Sequence, residues 1–304
     1  MTDFHRSVTV FVVALLAILQ PAAPRAQAIQ RSMYVSVLNG AGAPVADLGP
    51  SDFMVREDNL AREVLRVAPA TDPMQIAIMV DNSQAARDYI RDIRNGVEMF
   101  VTEMTAVSEA GMRNQLSIVA LAERPTILAD NTFDRVLIMK GVNRIFEQRG
   151  SANYLLEGII EVSKGFTKRS AQRPLIVAIT TEGPEYSQRQ FEDVLKPLRE
   201  AGAALHVIVL GPPSNDISDD ARNRGLVLDE GPRTSGGRRD SLLASSALPG
   251  ALRQLAAELT HQYRVTYARP QSLIPPERVT VSATRPGLTA RGTLIKEDKE
   301  KRRP

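Results

Sequence analysis

A repeated alternation of short apolar runs and amphipathic helical stretches, beginning after Pro73, constrains the fold most strongly. The apolar runs MQIAIMVDN, QLSIVALA, PLIVAITT and ALHVIVLG have almost no polar face. Such strands, when amphipathic helices separate them, are typical of a parallel sheet covered by helices on both sides. The sequence therefore predicts an α/β domain over residues 74–262, with a doubly wound, mostly parallel, Rossmann-like sheet. The predicted helices cover residues 86–107, 133–146, 152–166, 187–201 and 248–259.

The flanks of this domain have a different pattern. Residues 29–73 alternate apolar and polar positions between turn signals such as Asp58-Asn59, which is typical of antiparallel strands joined by hairpins. Residues 263–295 contain further strand patterns. Because an isolated hairpin is marginally stable, we expect the late strands to pair with the early ones or with the edge of the main sheet. Residues 211–246 are rich in Gly, Pro, Ser and Arg, and predict mostly loop.

Composition supports one globular body and excludes several functions. The chain has 304 residues, 43% of them hydrophobic, and a formal net charge of +3 from 38 basic and 35 acidic side chains. Residues 1–28 and 296–304 together hold seven basic and four acidic groups, so residues 29–295 carry 31 of each sign. A neutral body argues against nucleic-acid binding, which needs a basic face. With no cysteine, disulfides, thiol catalysis and cysteine-ligated metals are excluded.

The first 28 residues read as a signal peptide. Arg6 precedes the apolar run Val8–Leu19, and the small-x-small triplet Ala26-Gln27-Ala28 follows. A membrane anchor is the alternative, but a run of twelve residues falls short of the roughly 20 needed to span a bilayer. We therefore expect cleavage after Ala28 and a secreted or periplasmic protein. The charged segment 296–304 is expected to be a disordered tail.

Three segments collect oxygen-bearing side chains where the chain leaves the predicted sheet. They are Asp81-Asn82-Ser83-Gln84-Ala85, Gly150-Ser151-Ala152 and Thr181-Glu182-Gly183. Ligands of open α/β sheets bind at the carboxyl ends of the strands, because the connecting loops there are free to vary. These segments are therefore the candidate functional site.

At these segments the chain resembles the von Willebrand factor A domain family, and in particular a secreted bacterial group in which the A domain follows a short β segment. VLNGAGAPVADLGPSDFMVRED looks like that β segment, and IAIMVDNSQA looks like the first strand and metal loop. TSGGR looks like the late glycine pair, and LRQLAAELTHQYRVTY like the last helix and strand. The resemblance covers most of the chain after the signal peptide.

The resemblance implies a metal-ion-dependent adhesion site for Mg²⁺, in degenerate form. Asp81 and Ser83 match the DxSxS loop, but Ala85 replaces the second serine. Ser151 stands where the family has Thr, and Glu182 where it has Asp. Because Mg²⁺ demands near-ideal oxygen geometry, this set implies weak binding at most. The alternative from the residues themselves is that Asp81 and Ser83 cap the following helix.

The other polar candidates predict structural roles. His206 lies within an apolar strand and is expected in the core, whereas His261 lies at a helix end and is expected to cap it or face solvent. Two further groups are expected in solvated loops or at a helix start: Asp216, Asp219 and Asp220, and Arg233, Arg238 and Arg239. The sequence has no nucleophile elbow GxSxG, no HExxH and no GxxxxGK[ST].

The leading functional hypothesis is an exported, noncatalytic adhesion or scaffold module that binds another extracytoplasmic protein through the carboxyl edge of the sheet. One alternative is a structural component of a cell-envelope assembly, whose β appendage pairs edge to edge with other chains. Another is a metal-assisted hydrolase with Glu182 as the base.

Overall fold

The computed structural model of the chain describes residues 28–106, 113–271 and 274–296. Apart from Ala28, the expected signal peptide lies outside these residues, and so does the expected charged tail apart from Lys296. Across the described ranges, no helix combines the length and the apolar character needed to cross a membrane.

The described residues form thirteen strands and six α-helices, with three short 3-10 turns between them. The strands are β1 (Ala28–Leu38), β2 (Phe53–Glu57), β3 (Leu60–Arg62), β4 (Val64–Pro69), β5 (Gln75–Val80), β6 (Gln115–Ala120), β7 (Thr126–Thr132), β8 (Pro174–Thr181), β9 (Ala204–Leu210), β10 (Arg239–Leu242), β11 (Tyr263–Pro270), β12 (Val279–Ala283) and β13 (Thr289–Leu294). The helices are α1 (Ile90–Met104), α2 (Arg135–Val142), α3 (Leu155–Lys168), α4 (Phe191–Ala201), α5 (Asp219–Ser235) and α6 (Leu248–Thr260).

The central sheet has six strands in the order β10-β9-β8-β5-β6-β7. The first five run parallel, and every residue of β8 and β9 is buried. Helices α1, α2 and α6 pack on one face, and α3, α4 and α5 on the other, around two separate apolar cores. Burying each large aliphatic side chain in these cores contributes about 1.5–3 kcal/mol. The predicted doubly wound, mostly parallel α/β fold is confirmed.

Strand β7 is an element that the sequence pattern did not predict. It pairs antiparallel with β6 at the edge of the sheet, and only one of its seven residues is buried. An edge strand of the sequence TILADNT has too few buried positions to show an apolar run.

The expectation that residues 211–246 are mostly loop was wrong. Helix α5 covers seventeen of these residues, and β10 extends the parallel sheet. Gly225, Gly231 and Pro232 lie inside α5 and obscure its pattern, because glycine and proline normally interrupt helices. Gly231 has a packing reason, since a Cβ there would meet the Leu205 side chain at 2.8 Å. Ser218 caps the start of α5 by accepting a hydrogen bond from the Ala221 amide.

The two flanks form one β unit of two sheets, β13-β1-β11-β4 and β12-β2-β3. Late strands pair with early ones: β11 and β13 flank β1, and β12 pairs with β2. This is the first of the two pairings expected from the sequence. The tight turn at Asp58-Asn59 joins β2 to β3, and both residues have the positive φ that such a turn requires. The unit has its own apolar core, in which the Phe53 and Tyr263 rings meet edge to face at 5.8 Å.

Arg173 joins the β unit to the amino end of the central sheet. Its guanidinium donates to the Asp72 carbonyl at 2.8 Å, the Leu259 carbonyl at 3.1 Å and Gln262 Oε1 at 2.7 Å, and lies 4.6 Å from the centre of the Tyr34 ring. Burial lowers the pKa of Arg173 to about 10, so the group stays charged at neutral pH. The Tyr34 hydroxyl donates to Asp72, and burial together with that carboxylate raises the pKa of Tyr34 to about 12.

Candidate functional site

The candidate site lies on the opposite edge of the central sheet, where the parallel strands end. We call this edge the carboxyl rim. It comprises residues 81–89, 121–125, 143–154, 182–190, 211–218 and 243–247.

Asp81, the first residue after β5, is fully buried and holds two segments of the rim together. Its Oδ1 accepts from the Ser83 amide at 2.9 Å. Its Oδ2 accepts from Asn153 Nδ2 at 3.0 Å, the Thr181 amide at 3.2 Å and Thr181 Oγ1 at 2.6 Å. Four N–H or O–H donors therefore converge on this one buried carboxylate and fix its position.

Asn82 joins its own segment to residues 121–125 and, again, to residues 143–154. Its side-chain oxygen accepts from the Leu121 and Ala122 amides, at 3.2 and 3.0 Å, just beyond β6. Its Nδ2 donates to the Phe146 carbonyl at 3.0 Å, and its own carbonyl accepts from the Gln148 amide at 2.8 Å. The rim segments are therefore held by buried side chains.

The two serines of the predicted metal set differ in what they contact. Ser83 is buried, and its hydroxyl has no hydrogen-bond partner within the described part of the chain. Ser151 donates its hydroxyl proton to the Gln148 carbonyl at 2.5 Å, and its carbonyl accepts from the Gln84 amide. The capping alternative was wrong, because neither the Asp81 nor the Ser83 side chain accepts from an amide of the following turn or helix. Ser83 occupies the position before a 3-10 turn, Gln84–Tyr89, but its side chain makes no capping bond, and the Asp81 carboxylate binds the Ser83 amide instead.

Glu182 is paired with two arginines. Its Oε2 lies 3.2 Å from Nη1 of Arg224, and its Oε1 lies 3.8 Å from Nη2 of Arg239. Arg224 comes from α5 and is 6% exposed. Its Nη2 also donates to the Thr181 carbonyl and lies 3.5 Å from Thr180 Oγ1. The guanidinium of Arg224 is therefore buried at the end of β8, among oxygen atoms.

Packing closes the rim where the second serine of the family's loop would stand. The methyl group of Ala85 lies against Gly183, where a Cβ would overlap it. The structure thus brings the segments of Asp81, Ser151 and Glu182 to one edge of the sheet, as the sequence predicts. Their role as metal ligands stays a prediction.

The contacts around these residues do not fit a divalent cation. Asp81 Oδ2 already accepts from three N–H or O–H donors, and Glu182 lies between two guanidinium groups. A hard cation needs several free oxygen ligands. The Ser83 hydroxyl is the one member of the predicted set that no contact among the described residues occupies.

Asn153 and Glu185 are two further buried polar residues of the rim. Together with Asp81 and Asn82 they form what we call the polar layer. Asn153 is buried, and its Nδ2 donates to both Asp81 and Thr180 Oγ1. Glu185 is also buried, and its Oε1 accepts from the amide and the hydroxyl of Ser187. Burial raises the pKa of Glu185 to about 7, although the Ser187 bonds and the charge of Arg224 act against the rise.

The histidines match their expected roles. His206 is buried in β9, and burial lowers its pKa to about 4, so it is neutral at pH 7. His261 ends α6, and its Nδ1 lies 2.7 Å from the Ala257 carbonyl.

The expectation of solvated loops holds for part of the charged clusters. Asp219 and Asp220 begin α5, as predicted. Arg233 is exposed on the last turn of α5 and pairs with Glu230. For Arg238 the expectation was wrong, because this residue is largely buried and pairs with Glu258 at 3.3 Å and with Asp240 at 2.8 Å. Arg239 lies in β10 and pairs with Asp229 at 2.5 Å as well as facing Glu182.

Sequence reasoning missed Asn153, which lies in the rim, and Arg224, which contacts the rim from α5. Asn153 follows the predicted serine by two positions, but a single asparagine in a loop carries no pattern. Arg224 was missed because its helix was expected to be loop, and only an α5 helix places this side chain against β8.

Solved structures with a similar fold include von Willebrand factor type A from Catenulispora acidiphila, at 10% identity, covering 91% of this chain and 74% of that one, with a TM-score of 0.48. The vWF domain of the type V pili tip protein Mfa5 from Porphyromonas gingivalis matches at 10% identity, covering 62% of this chain and 96% of that one, with a TM-score of 0.47. Proximal thread matrix protein 1 from the mussel byssus, with a zinc occupied MIDAS motif, matches at 12% identity, covering 70% of this chain and 50% of that one, with a TM-score of 0.48.

Two of these three matches are A domains, the family that the sequence resembles. No protein-family model matches the sequence, and the comparison with curated proteins found no relative. At identities of 10–12%, function has to be argued from the side chains of the rim.

Proposed function

We propose that the chain is an exported, noncatalytic protein-binding module whose binding face is the carboxyl rim. The observation that carries the proposal is a set of large apolar side chains exposed on the rim segments. Phe146, Tyr186, Ile217 and Leu243 are each more than half exposed. Exposed apolar patches mark interaction sites, and aromatic side chains such as Phe146 and Tyr186 are common anchors of protein interfaces.

The polar layer beneath these side chains supports the same proposal. Asn82 holds the backbone of the Phe146 segment, and the Asn153 carbonyl accepts from the Tyr186 amide at 2.9 Å. Loops fixed by buried hydrogen bonds lose less conformational entropy when a partner binds. The anchors are therefore presented on segments that are already ordered.

Catalysis by the same crevice has less support. Glu182, the base that a metal-assisted hydrolase would use, is held by Arg224. A base has to reach the proton it removes. A carboxylate fixed by a buried guanidinium is poorly suited to that task.

Export is part of the proposal and rests on residues 1–28. Cleavage after Ala28 would leave β1 nearly whole, because Ile29 and the residues after it pair with β11 from Arg269 backwards. Amino-terminal sequencing of the protein recovered from the periplasm or medium should begin at Ile29. A protein found only in the cytoplasm, with Met1 at its amino terminus, would refute the export step.

The binding face can be tested with two matched phenylalanines. Phe146 lies on the rim and is 58% exposed, whereas Phe133 follows β7 at the amino edge of the sheet and is 57% exposed. Tagged wild type, Phe146→Ser and Phe133→Ser would be used to capture partners from an envelope extract of the host, with quantification by mass spectrometry. We expect one partner to be enriched equally by the wild type and Phe133→Ser, and about tenfold less by Phe146→Ser.

Either of two results would refute the proposed face. One is a partner that Phe146→Ser retains and Phe133→Ser loses. The other is the absence of any partner, together with turnover of a substrate panel that depends on Glu182.

A further inference from the structure

We infer that the guanidinium of Arg224 is the cation of the carboxyl rim, so that the rim is assembled and charge-balanced without a divalent ion. The inference concerns how the rim is built. It rests on the proposed function only in predicting that partner binding withstands chelators.

Oxygen atoms at the end of β8 surround the guanidinium of Arg224. Nη1 of this residue lies 3.2 Å from Glu182 Oε2, while Nη2 donates to the Thr181 carbonyl and lies 3.5 Å from Thr180 Oγ1. These partners are a carboxylate, a carbonyl and a hydroxyl, which are also the ligand types that a hard cation would take. One buried positive group therefore serves the oxygens that end β8.

The carboxylates and guanidinium groups around Glu182 are close to balance without an added ion. Asp81 and Glu182 are the two acidic members of the predicted metal set, and Arg224 and Arg239 are the guanidinium groups that face Glu182. Because Arg239 also pairs with the exposed Asp229, at 2.5 Å, three carboxylates stand against two guanidinium groups. An added dication would leave the rim with an excess of positive charge beside a guanidinium that is 6% exposed, and buried charge without a partner is strongly disfavoured.

The other positions of the predicted metal set make contacts within the protein. The donors on Asp81 come from Ser83, Asn153 and Thr181, and three of these four hydrogen bonds go to Oδ2, so an ion that bound this oxygen would have to displace them. Ser151 turns its proton toward the Gln148 carbonyl, and Ala85 offers a methyl group against Gly183. The changes at residues 85 and 182 thus accompany a site reorganised around an internal cation.

Helix α5 determines where the Arg224 side chain lies. It is placed by α5, whose start is fixed by the Ser218 cap and whose packing requires Gly231 close to Leu205. The cation is therefore delivered by a helix of the core and does not depend on a flexible loop.

The test uses Mn²⁺ alone and needs no partner, so its failure differs from failure of the proposed binding face. Purified wild type would be titrated with Mn²⁺ by calorimetry and by the electron paramagnetic resonance signal of the free ion. We expect no heat beyond dilution and no loss of the free-ion signal at millimolar Mn²⁺. Uptake of one Mn²⁺ per chain that disappears in Asp81→Asn would overturn the inference.

A charge-rescue cycle gives a second, independent readout. Arg224→Met should lower the melting temperature by roughly 5–10 °C, because Glu182 loses its buried counter-charge. Adding Glu182→Gln to Arg224→Met should recover part of that loss. If Arg224→Met does not fold, folding of the double variant gives the same answer. A double variant no more stable than Arg224→Met, or as poorly folded, would contradict the assigned role.

Discussion

Two arginines lie at the two ends of strand β8, and both are almost fully buried. Arg173 precedes the strand and donates to neutral groups, the Asp72 and Leu259 carbonyls and the Gln262 amide oxygen. Arg224 contacts the other end, where it binds the carboxylate of Glu182. The same functional group thus has neutral hydrogen-bond partners at the amino end and a charged partner at the carboxyl rim.

The partners of the two arginines indicate different roles for the two ends of the sheet. The acceptors of Arg173 are backbone carbonyls of the linker 70–72 and of α6, together with the side-chain oxygen of Gln262, which precedes β11. Arg173 therefore fastens the β unit onto the central sheet. At the rim the partners of Arg224 are the polar residues that end β8, and exposed apolar side chains lie on neighbouring segments. The amino end therefore carries stability, whereas the rim carries the proposed recognition.

Arg173→Met should produce the largest loss of stability. It leaves the Asp72 and Leu259 carbonyls and Gln262 Oε1 without their donor, in a buried junction. We expect the free energy of unfolding to fall by about 4 kcal/mol, measured by urea denaturation. The matched control is Arg169→Met, whose guanidinium is exposed and lies over the Phe166 ring at 5.6 Å, with an expected loss of less than about 1 kcal/mol. Equal losses of unfolding free energy in the two variants would mean that the buried junction of Arg173 adds no more stability than an exposed arginine.

Asp81→Asn should cost about 3 kcal/mol. An amide can present its oxygen to the donors of Asn153 and Thr181, but its NH₂ then faces the Ser83 amide, which also donates. The matched control is Asp216→Asn. Asp216 also accepts from the amide of a serine two residues on, at 2.9 Å, but on an exposed loop. Urea unfolding of both variants checks the prediction, and a control as costly as Asp81→Asn would show that the buried network adds nothing.

Glu185 should give the smallest of the three effects, as a pH dependence. Its folded pKa of about 7 lies above its ordinary value of 4.5, so between those values the folded chain holds a proton that the unfolded chain has lost. Stability from this group is complete below 4.5 and is lost as the pH rises through 7. From pH 5 to pH 8 we expect a loss of about 2 kcal/mol in the wild type, largely absent in Glu185→Gln and retained in the exposed control Glu192→Gln.

Thermal unfolding at several pH values measures these slopes. A wild type as stable at pH 8 as at pH 5, relative to Glu185→Gln, would mean that Glu185 is charged in the folded protein.

Much of the fold could be read from the sequence because burial imposes a period on the residues. Strands β8 and β9 are buried at every position and appear as unbroken apolar runs. Helix α5 lacks this signal, since only six of its seventeen residues are buried and glycine and proline interrupt it. Missing α5 also meant missing Arg224.

The candidate site was predictable in position but not in chemistry. That loops after parallel strands meet at one edge follows from topology, so Asp81, Ser151 and Glu182 could be placed on one rim. Which donors surround Asp81, and which cation faces Glu182, depends on contacts between residues 72 and 42 positions apart in the chain. Periodicity reports burial and does not report partners.

Crystals grown with Mn²⁺, measured at a wavelength where manganese scatters anomalously, test the central claim most directly. The account predicts no anomalous peak between Ser83, Ser151 and Glu182, with the Arg224 guanidinium in density within hydrogen-bonding distance of Glu182. A manganese peak bounded by those three side chains, with Arg224 turned away from Glu182, would contradict it.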